Sequence, residues 1–265
     1  MKLNRNIAKI VVVILFCFSV ISLNAQKKLV PSAELKSPID LKFPANVKFM
    51  YTKPFTGGMI KAIYESLPAQ GLKKEYMVQI STKNNKYIKN NDIQVDGEKY
   101  HLVNFHFHTP SEHMINGKRK EGEVHFVHKS DAGKFAVVGA FITHNNKLNG
   151  VKSVGGKLNK EYKEILNAFH KLKFPAKEGE GEEIELAGAI DVRKLLPLSH
   201  SCVCRYLGSK TSGTLDPGVK WIILTNPIEF SDAQLKILNM IKSSGTKIHP
   251  LNGRPVTIER CTASK

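Results

Sequence analysis

Three histidines hold the residue types and spacing that chemistry would need. His106 and His108 stand two residues apart in the run 101–108, and His125 follows in 123–128. Both runs are β-branched, aromatic and alternating, the pattern of half-buried strands. Side chains on a strand alternate in direction, so Leu102, Asn104, His106 and His108 fall on one face and Val103, Phe105 and Phe107 on the other. On the second run Glu123, His125 and Val127 share a face. Two imidazoles from one strand and a third from a neighbour can then converge on one point. That is the donor set of a catalytic zinc site, which keeps its fourth position for water. Imidazoles that bind zinc ordinarily donate their other N–H to an oxygen. Asn104 and Glu123, each two residues from a ligand and on its face, are the expected acceptors.

The rest of the chain must supply a rigid sheet for these groups. Residues 39–104 show short alternating runs broken by Asn, Gly and Pro, which is strand-and-turn grammar. Within them 83–91 is polar and Asn-rich, a loop or hairpin tip. Residues 135–142 form a continuous apolar run, suited to a strand buried on both faces. Helical spacing of Tyr162, Ile165, Leu166 and Phe169 predicts a helix over 159–172, and 232–241 predicts a second. Segment 177–183 reads as a Gly/Glu surface loop, and 201–206 and 219–224 as further strands. There is no internal repeat. One β-rich domain with a few helices applied outside fits best.

The N-terminus has Lys2, Arg5 and Lys9, an apolar run over 10–23, and small residues ending at Ala25. This is the pattern of a secretory signal peptide over 1–25, too short for a convincing membrane span. The expectation is an exported protein, periplasmic or secreted, with 26–265 as its domain and no transmembrane segment in the mature chain. Cleavage would remove three basic residues and no acid, lowering the formal charge from +17 to +14. The lysines are scattered and not interleaved with aromatics, which argues for a solvated basic surface and against nucleic acid. Cys202, Cys204 and Cys261 would remain, an odd number that allows at most one internal bridge.

The run Asn104-Phe-His-Phe-His-Thr-Pro-Ser-Glu-His113, with Asn116-Gly-Lys118 and Glu123-Val-His-Phe-Val-His128, resembles the signature of the α-class carbonic anhydrases in their bacterial form. The likeness continues at Ser37-Pro-Ile-Asp40, Ala136-Val-Val-Gly139, Leu195-Leu-Pro197, Tyr206-Leu-Gly-Ser209, Trp221 and Leu251-Asn-Gly-Arg-Pro255. It implies a mainly β (α+β) single domain, with a large twisted, mostly antiparallel central sheet and peripheral helices. It also implies Zn2+ on His106, His108 and His125, and reversible hydration of CO2 to bicarbonate. Thr211 would orient the attacking hydroxide, with Glu112 accepting the Thr211 hydroxyl proton. Val127, Val137, Val219 and Trp221 would wall the apolar CO2 pocket, with Ser212 beside Thr211. A homodimer is compatible with the family.

The chain also departs from that pattern. The family's shuttle histidine is missing, since no histidine precedes His101, and alternation turns His101 away from the zinc face. Lys83, Lys86 and Tyr87 occupy the expected region, and lysines are poor shuttles at neutral pH, so buffer-limited turnover is expected. Lys210 replaces a leucine at the pocket mouth, where its stem could line the pocket or its charge hold an anion. Gly213 replaces a proline, which predicts a looser Thr211 loop. Leu215 replaces the cysteine of the usual bridge, and the resemblance, which sets the last strand beside 201–206, implies a substitute from Cys202 or Cys204 to Cys261. These departures leave an alternative: a carbonic-anhydrase-like zinc- or anion-binding envelope protein with little turnover. A zinc hydrolase on another β scaffold is the third class, and the motif offers no carboxylate placed as its base.

Overall fold

Alternation of apolar and polar residues builds a sheet around one long strand. The computed structural model describes residues 36–41, 47–65, 75–145, 159–197, 203–241, 247–253 and 255–259. The expected signal peptide, Cys202, Cys261 and the bridge that would join them lie outside these residues. In chain order the strands are β1 (Asp40–Leu41), β2 (Lys48–Tyr51), β3 (Gly58–Glu65), β4 (Glu75–Thr82), β5 (Asn91–Val95), β6 (Glu98–His108) and β7 (Met114–Ile115). They continue as β8 (Gly122–Lys129), β9 (Phe135–His144), β10 (Gly179–Glu180), β11 (Ile184–Glu185), β12 (Val203–Ser209), β13 (Pro217–Phe230) and β14 (Thr257–Glu259). Among the described residues three short α-helices accompany them: α1 (Lys163–Phe169), α2 (Val192–Leu195) and α3 (Asp232–Leu238).

Twelve strands of the described residues form one sheet in the order β10-β3-β4-β6-β8-β9-β13-β12-β14, with β11 on β3 and β2 joined through β5 to β6. Its pairings are antiparallel except β9 with β13. β6 is long enough to serve two partners on one edge, β5 along its first half and β4 along its second. The β5–β6 turn places Asp96 and Gly97 at φ of 54° and 80°, the conformation a tight two-residue hairpin requires. β14 does lie beside β12, with Ile258 opposite Cys204.

The two faces of the sheet differ in what covers them. On one, Phe105, Phe107 and Phe126 join Tyr162, Ile165, Leu166 and Phe169 in the main core. The Phe107 ring meets those of Tyr162 and Phe169 at 6.0 and 5.8 Å, so the amphipathic stripe of α1 is buried there. A Ser231–Gln234 capping box starts α3 nearby. The other face carries a smaller cluster that includes Ile39, Val137, Phe141, Tyr206, Val219, Trp221 and Ile223. With the helices on the first face, the second is left for the histidines.

Several expectations are corrected. A β-bulge between Leu102 and Asn104 inserts one extra residue into β6, which reverses the alternation at that point. Leu102 therefore packs in the main core with Phe105 and Phe107, and not beside the histidines. By the same reversal His101 emerges on the side of Asn104 and His106. Its ring there stacks on Tyr87 at 4.9 Å and sits 2.9 Å from Asp92 Oδ1. Part of 177–183 is not loop, since Gly179 and Glu180 pair with Tyr64 and Ile63 at the sheet edge. Both predicted helices are shorter than their patterns, each with a 3-10 turn at one end.

Candidate active site

Register brings the histidines together. On β6 and β8 His106 lies directly opposite His125, and His108 opposite Glu123. His106 also pairs with Gln79 of β4, and His125 with Gly139 of β9. The ring centroids of His106, His108 and His125 are 5.0, 5.3 and 4.7 Å apart. One nitrogen from each lies within 4.8 Å of the others. Three imidazole nitrogens grouped in this way could hold one divalent ion.

The charge state suits a metal. Burial, with His108 and His125 close by, pushes the His106 imidazole well below its ordinary pKa. Burial also lowers His125, against the opposing pull of Glu123. Neutral imidazoles have the free lone pair that coordination needs. His106 Nδ1 lies 3.2 Å from Asn104 Oδ1, and His125 Nε2 lies 3.0 Å from Glu123 Oε1. These contacts leave His106 Nε2 and His125 Nδ1 for an ion. Burial alone would raise the Glu123 carboxyl, but His113 and His125 hold it well below the usual carboxylate range.

The turn after β6 delivers Glu112. Thr109 Oγ1 donates to the Glu121 carbonyl at 3.1 Å, and Ser111 exchanges bonds with Lys120 through its backbone and its hydroxyl. Arg119 donates to the Glu112 carbonyl at 2.9 Å. The fully buried Glu112 carboxylate ends 3.6 Å from His108 Nε2 and 3.7 Å from His125 Nδ1.

A cavity of about 260 Å³ opens over these groups. His106, His125, Asn104 and Thr211 line it, as do Ser212, Lys210, Val127, Val137, Val219 and Trp221. His108, Glu112 and Glu123 sit buried and do not line it. The apolar wall follows from register, because Asn104, Val127, Val137, Trp221 and Tyr206 form one row across five strands. Lys83, Lys86, Tyr87 and His101 do not line the cavity; its other ionisable lining groups are Glu65 and Glu180. The Lys210 charge is already matched, with Nζ 2.7 Å from Asp216 Oδ2 and 5.3 Å from the Phe135 ring centroid. Asp216 also accepts from Thr214 Oγ1 at 2.6 Å, and its carbonyl from Lys210 N at 3.0 Å. The Thr211 loop is thus tied across its base despite Gly213.

A family model described as eukaryotic-type carbonic anhydrase matches residues 26–258. The chain belongs to this family. It is 29% identical over 222 residues to a carbonic anhydrase of a Nostoc species, across 83% of this chain and 74% of that protein. It is 31% identical over 169 residues to a carbonic anhydrase of Klebsiella pneumoniae, across 62% of this chain and 60% of that protein. Among solved structures, the α-carbonic anhydrase of Thermovibrio ammonificans in complex with the inhibitor sulfanilamide superposes with a TM-score of 0.63 at 27% identity, covering 84% of this chain and 86% of that one. That of Photobacterium profundum gives 0.60 at 26% identity, covering 84% and 88%. A carbonic-anhydrase fold removes the zinc hydrolase on another scaffold from consideration.

Sequence reasoning gave no role to a buried network behind this carbonic-anhydrase site. His113 Nδ1 lies 2.8 Å from Glu123 Oε1, and His113 Nε2 lies 2.6 Å from the Tyr206 hydroxyl. Tyr206 lies 3.1 Å from Ser37 Oγ, which accepts from Ser209 N at 3.1 Å, and Ser209 Oγ donates to the Lys210 carbonyl at 2.8 Å. The shell of His125 is thereby linked to the start of the Thr211 loop. Ser37 and Tyr206 stand in motifs noted in the sequence, but only long-range packing shows what they do there.

Proposed function

We propose that this chain catalyses zinc-dependent, reversible hydration of carbon dioxide to bicarbonate and a proton. The observation that carries the reading is the convergence of three imidazoles, two of which, His106 and His125, line the same cavity as an apolar wall. His106, His108 and His125 would hold the ion. When bound, it supplies the Lewis acidity that makes water nucleophilic near neutral pH, the chemistry for which carbonic anhydrase is itself the reference case. Asn104 and Glu123 fix which ring nitrogens face inward. The Thr211 hydroxyl orients the attacking water, and Glu112 is the carboxylate that anchors Thr211. Val127, Val137, Val219 and Trp221 offer uncharged CO2 a surface that orders little water. In this reading the chain acts after export, with 1–25 removed.

The alternative of an anion-binding protein with little turnover would use Lys210 as its charged anchor. The ion pair with Asp216 argues against that role. Proton exit is the weaker part of the machinery. Among the described cavity-lining residues no histidine stands beyond the ligands, so small buffers must carry the product proton. Stopped-flow CO2 hydration tests both parts. The expected result is zinc-dependent turnover that rises with imidazole relative to an inert buffer of equal pH. Full zinc loading without turnover would favour the binding protein, and turnover insensitive to imidazole would remove the buffer argument.

A further inference from the structure

The proposed chemistry leaves an ionic cluster in the cavity wall unused. Lys61 of β3 pairs with Gln79 of β4, which pairs with His106. With neighbouring strands about 4.8 Å apart, Lys61 lies about 10 Å from His106, backbone to backbone, on the same face of the sheet. The Lys61 residue is only 2% exposed. Its ammonium is held by Glu180 and, at 3.2 Å, by Glu183. Burial would lower the Lys61 pKa, yet the two carboxylates hold it above the ordinary value, so the ammonium stays charged. Glu180 lines the same cavity as His106, His125 and Thr211.

One ammonium facing two carboxylates leaves a surplus negative charge. Lys210 with Asp216, also at the cavity, forms a neutral pair. A chain of formal net charge +17 therefore presents a net negative cluster at the one cleft where its proposed product is an anion. Building it required burying a lysine, which is rare without full pairing.

We propose that Lys61, Glu180 and Glu183 form an anion filter, a reading that rests on the zinc site proposed above. The cluster leaves uncharged CO2 free to enter and weakens the cleft's hold on anions, bicarbonate among them. Taking the Lys61–His106 backbone spacing of about 10 Å as the scale of separation, unit charges at an effective dielectric of about 40–80 change anion affinity about two- to fourfold. The effect is largest at low ionic strength, because screening acts over a similar distance at about 0.1 M salt.

The test is azide binding to the full chain substituted with cobalt(II), followed by its visible absorption bands at low ionic strength. Glu180→Gln removes one negative charge and should tighten azide about two- to fourfold, with Glu183→Gln acting in the same direction. Lys61→Met leaves both carboxylates unbalanced and should weaken azide by a similar factor. A general loosening of the cleft would move all three variants the same way, so that outcome, or three unchanged affinities, overturns the filter alone. If Lys61→Met does not fold, the two glutamine variants, at exposed positions, decide. A chain that takes up no cobalt overturns the metal reading and the filter with it.

Discussion

Gly139 is where the smallest possible side chain should damage the metal site. It pairs with His125 across β8 and β9. A methyl group built there would lie 2.9 Å from Glu123 Oε1 and 2.6 Å from Ile223 Cδ1. The isoleucine contact is the far end of a flexible side chain and can turn away. Glu123 has less freedom, being held by His113 N at 2.9 Å, His113 Nδ1 at 2.8 Å and His125 Nε2 at 3.0 Å. Ordinary contact begins at 3.4 Å, so the carboxylate must retreat by about 0.5 Å. If it retreats from His125, that contact stretches to about 3.5 Å, beyond a good hydrogen bond. Loss of such an acceptor typically costs about 10–100-fold in metal affinity. A partial loss predicts about tenfold weaker zinc for Gly139→Ala, about 1.4 kcal/mol. Competition with a chromophoric chelator measures it, with unfolding of the metal-free forms as a check on stability. A folded Gly139→Ala protein that binds zinc within twofold of the parent would refute the reasoning.

Two further outcomes follow from groups around the site. His128 is fully buried with Nε2 2.9 Å from the Tyr51 hydroxyl, and burial pushes its pKa down to about 3. Between that value and about 6.5 the unfolded chain holds a proton that the folded chain does not, so stability falls as pH drops through this window. At pH 4.5, about two units below the unfolded value, the loss is about 2.7 kcal/mol. His128→Gln does not titrate, so urea unfolding should show its deficit against the parent shrinking by about that amount between pH 7.5 and 4.5; parallel losses would contradict it. Asp216→Ala removes the side-chain ties to Lys210 Nζ and Thr214 Oγ1, leaving only the backbone bond from Lys210 N across the base of the Thr211 loop. CO2 hydration should fall severalfold while zinc content stays at the parent level, and unchanged hydration would show that the loop is held elsewhere.

What could be read in the sequence was local. Alternation alone places His106 and His108 on one face, and the apolar run at 135–142 marks a strand that is buried along nearly its whole length. The bulge at Leu102 was hidden, because one extra residue leaves no mark in a strand where apolar and polar residues already alternate. That single insertion moved Leu102 into the core and turned His101 to the other side. The partners of Lys61 were equally hidden, since Glu180 and Glu183 are 119 and 122 positions away. Edge strands as short as β10 have no pattern of their own and form because β3 offers them free hydrogen-bonding groups. The partner of the buried His113 was hidden too, since its contact with Tyr206 spans 93 positions. Lys210 was legible as a break in pattern, while its match with Asp216 depends on a loop geometry that only the fold supplies.

The central claim is that three imidazoles on β6 and β8 grip one divalent ion. The most direct measurement is zinc stoichiometry of the purified, folded chain after dialysis against trace-metal-free buffer, beside His106→Ala, His108→Ala and His125→Ala. The account predicts one zinc per parent chain and a large loss in each variant that still folds. A folded parent chain that retains no zinc and takes none up, or variants that hold it undiminished, would contradict it.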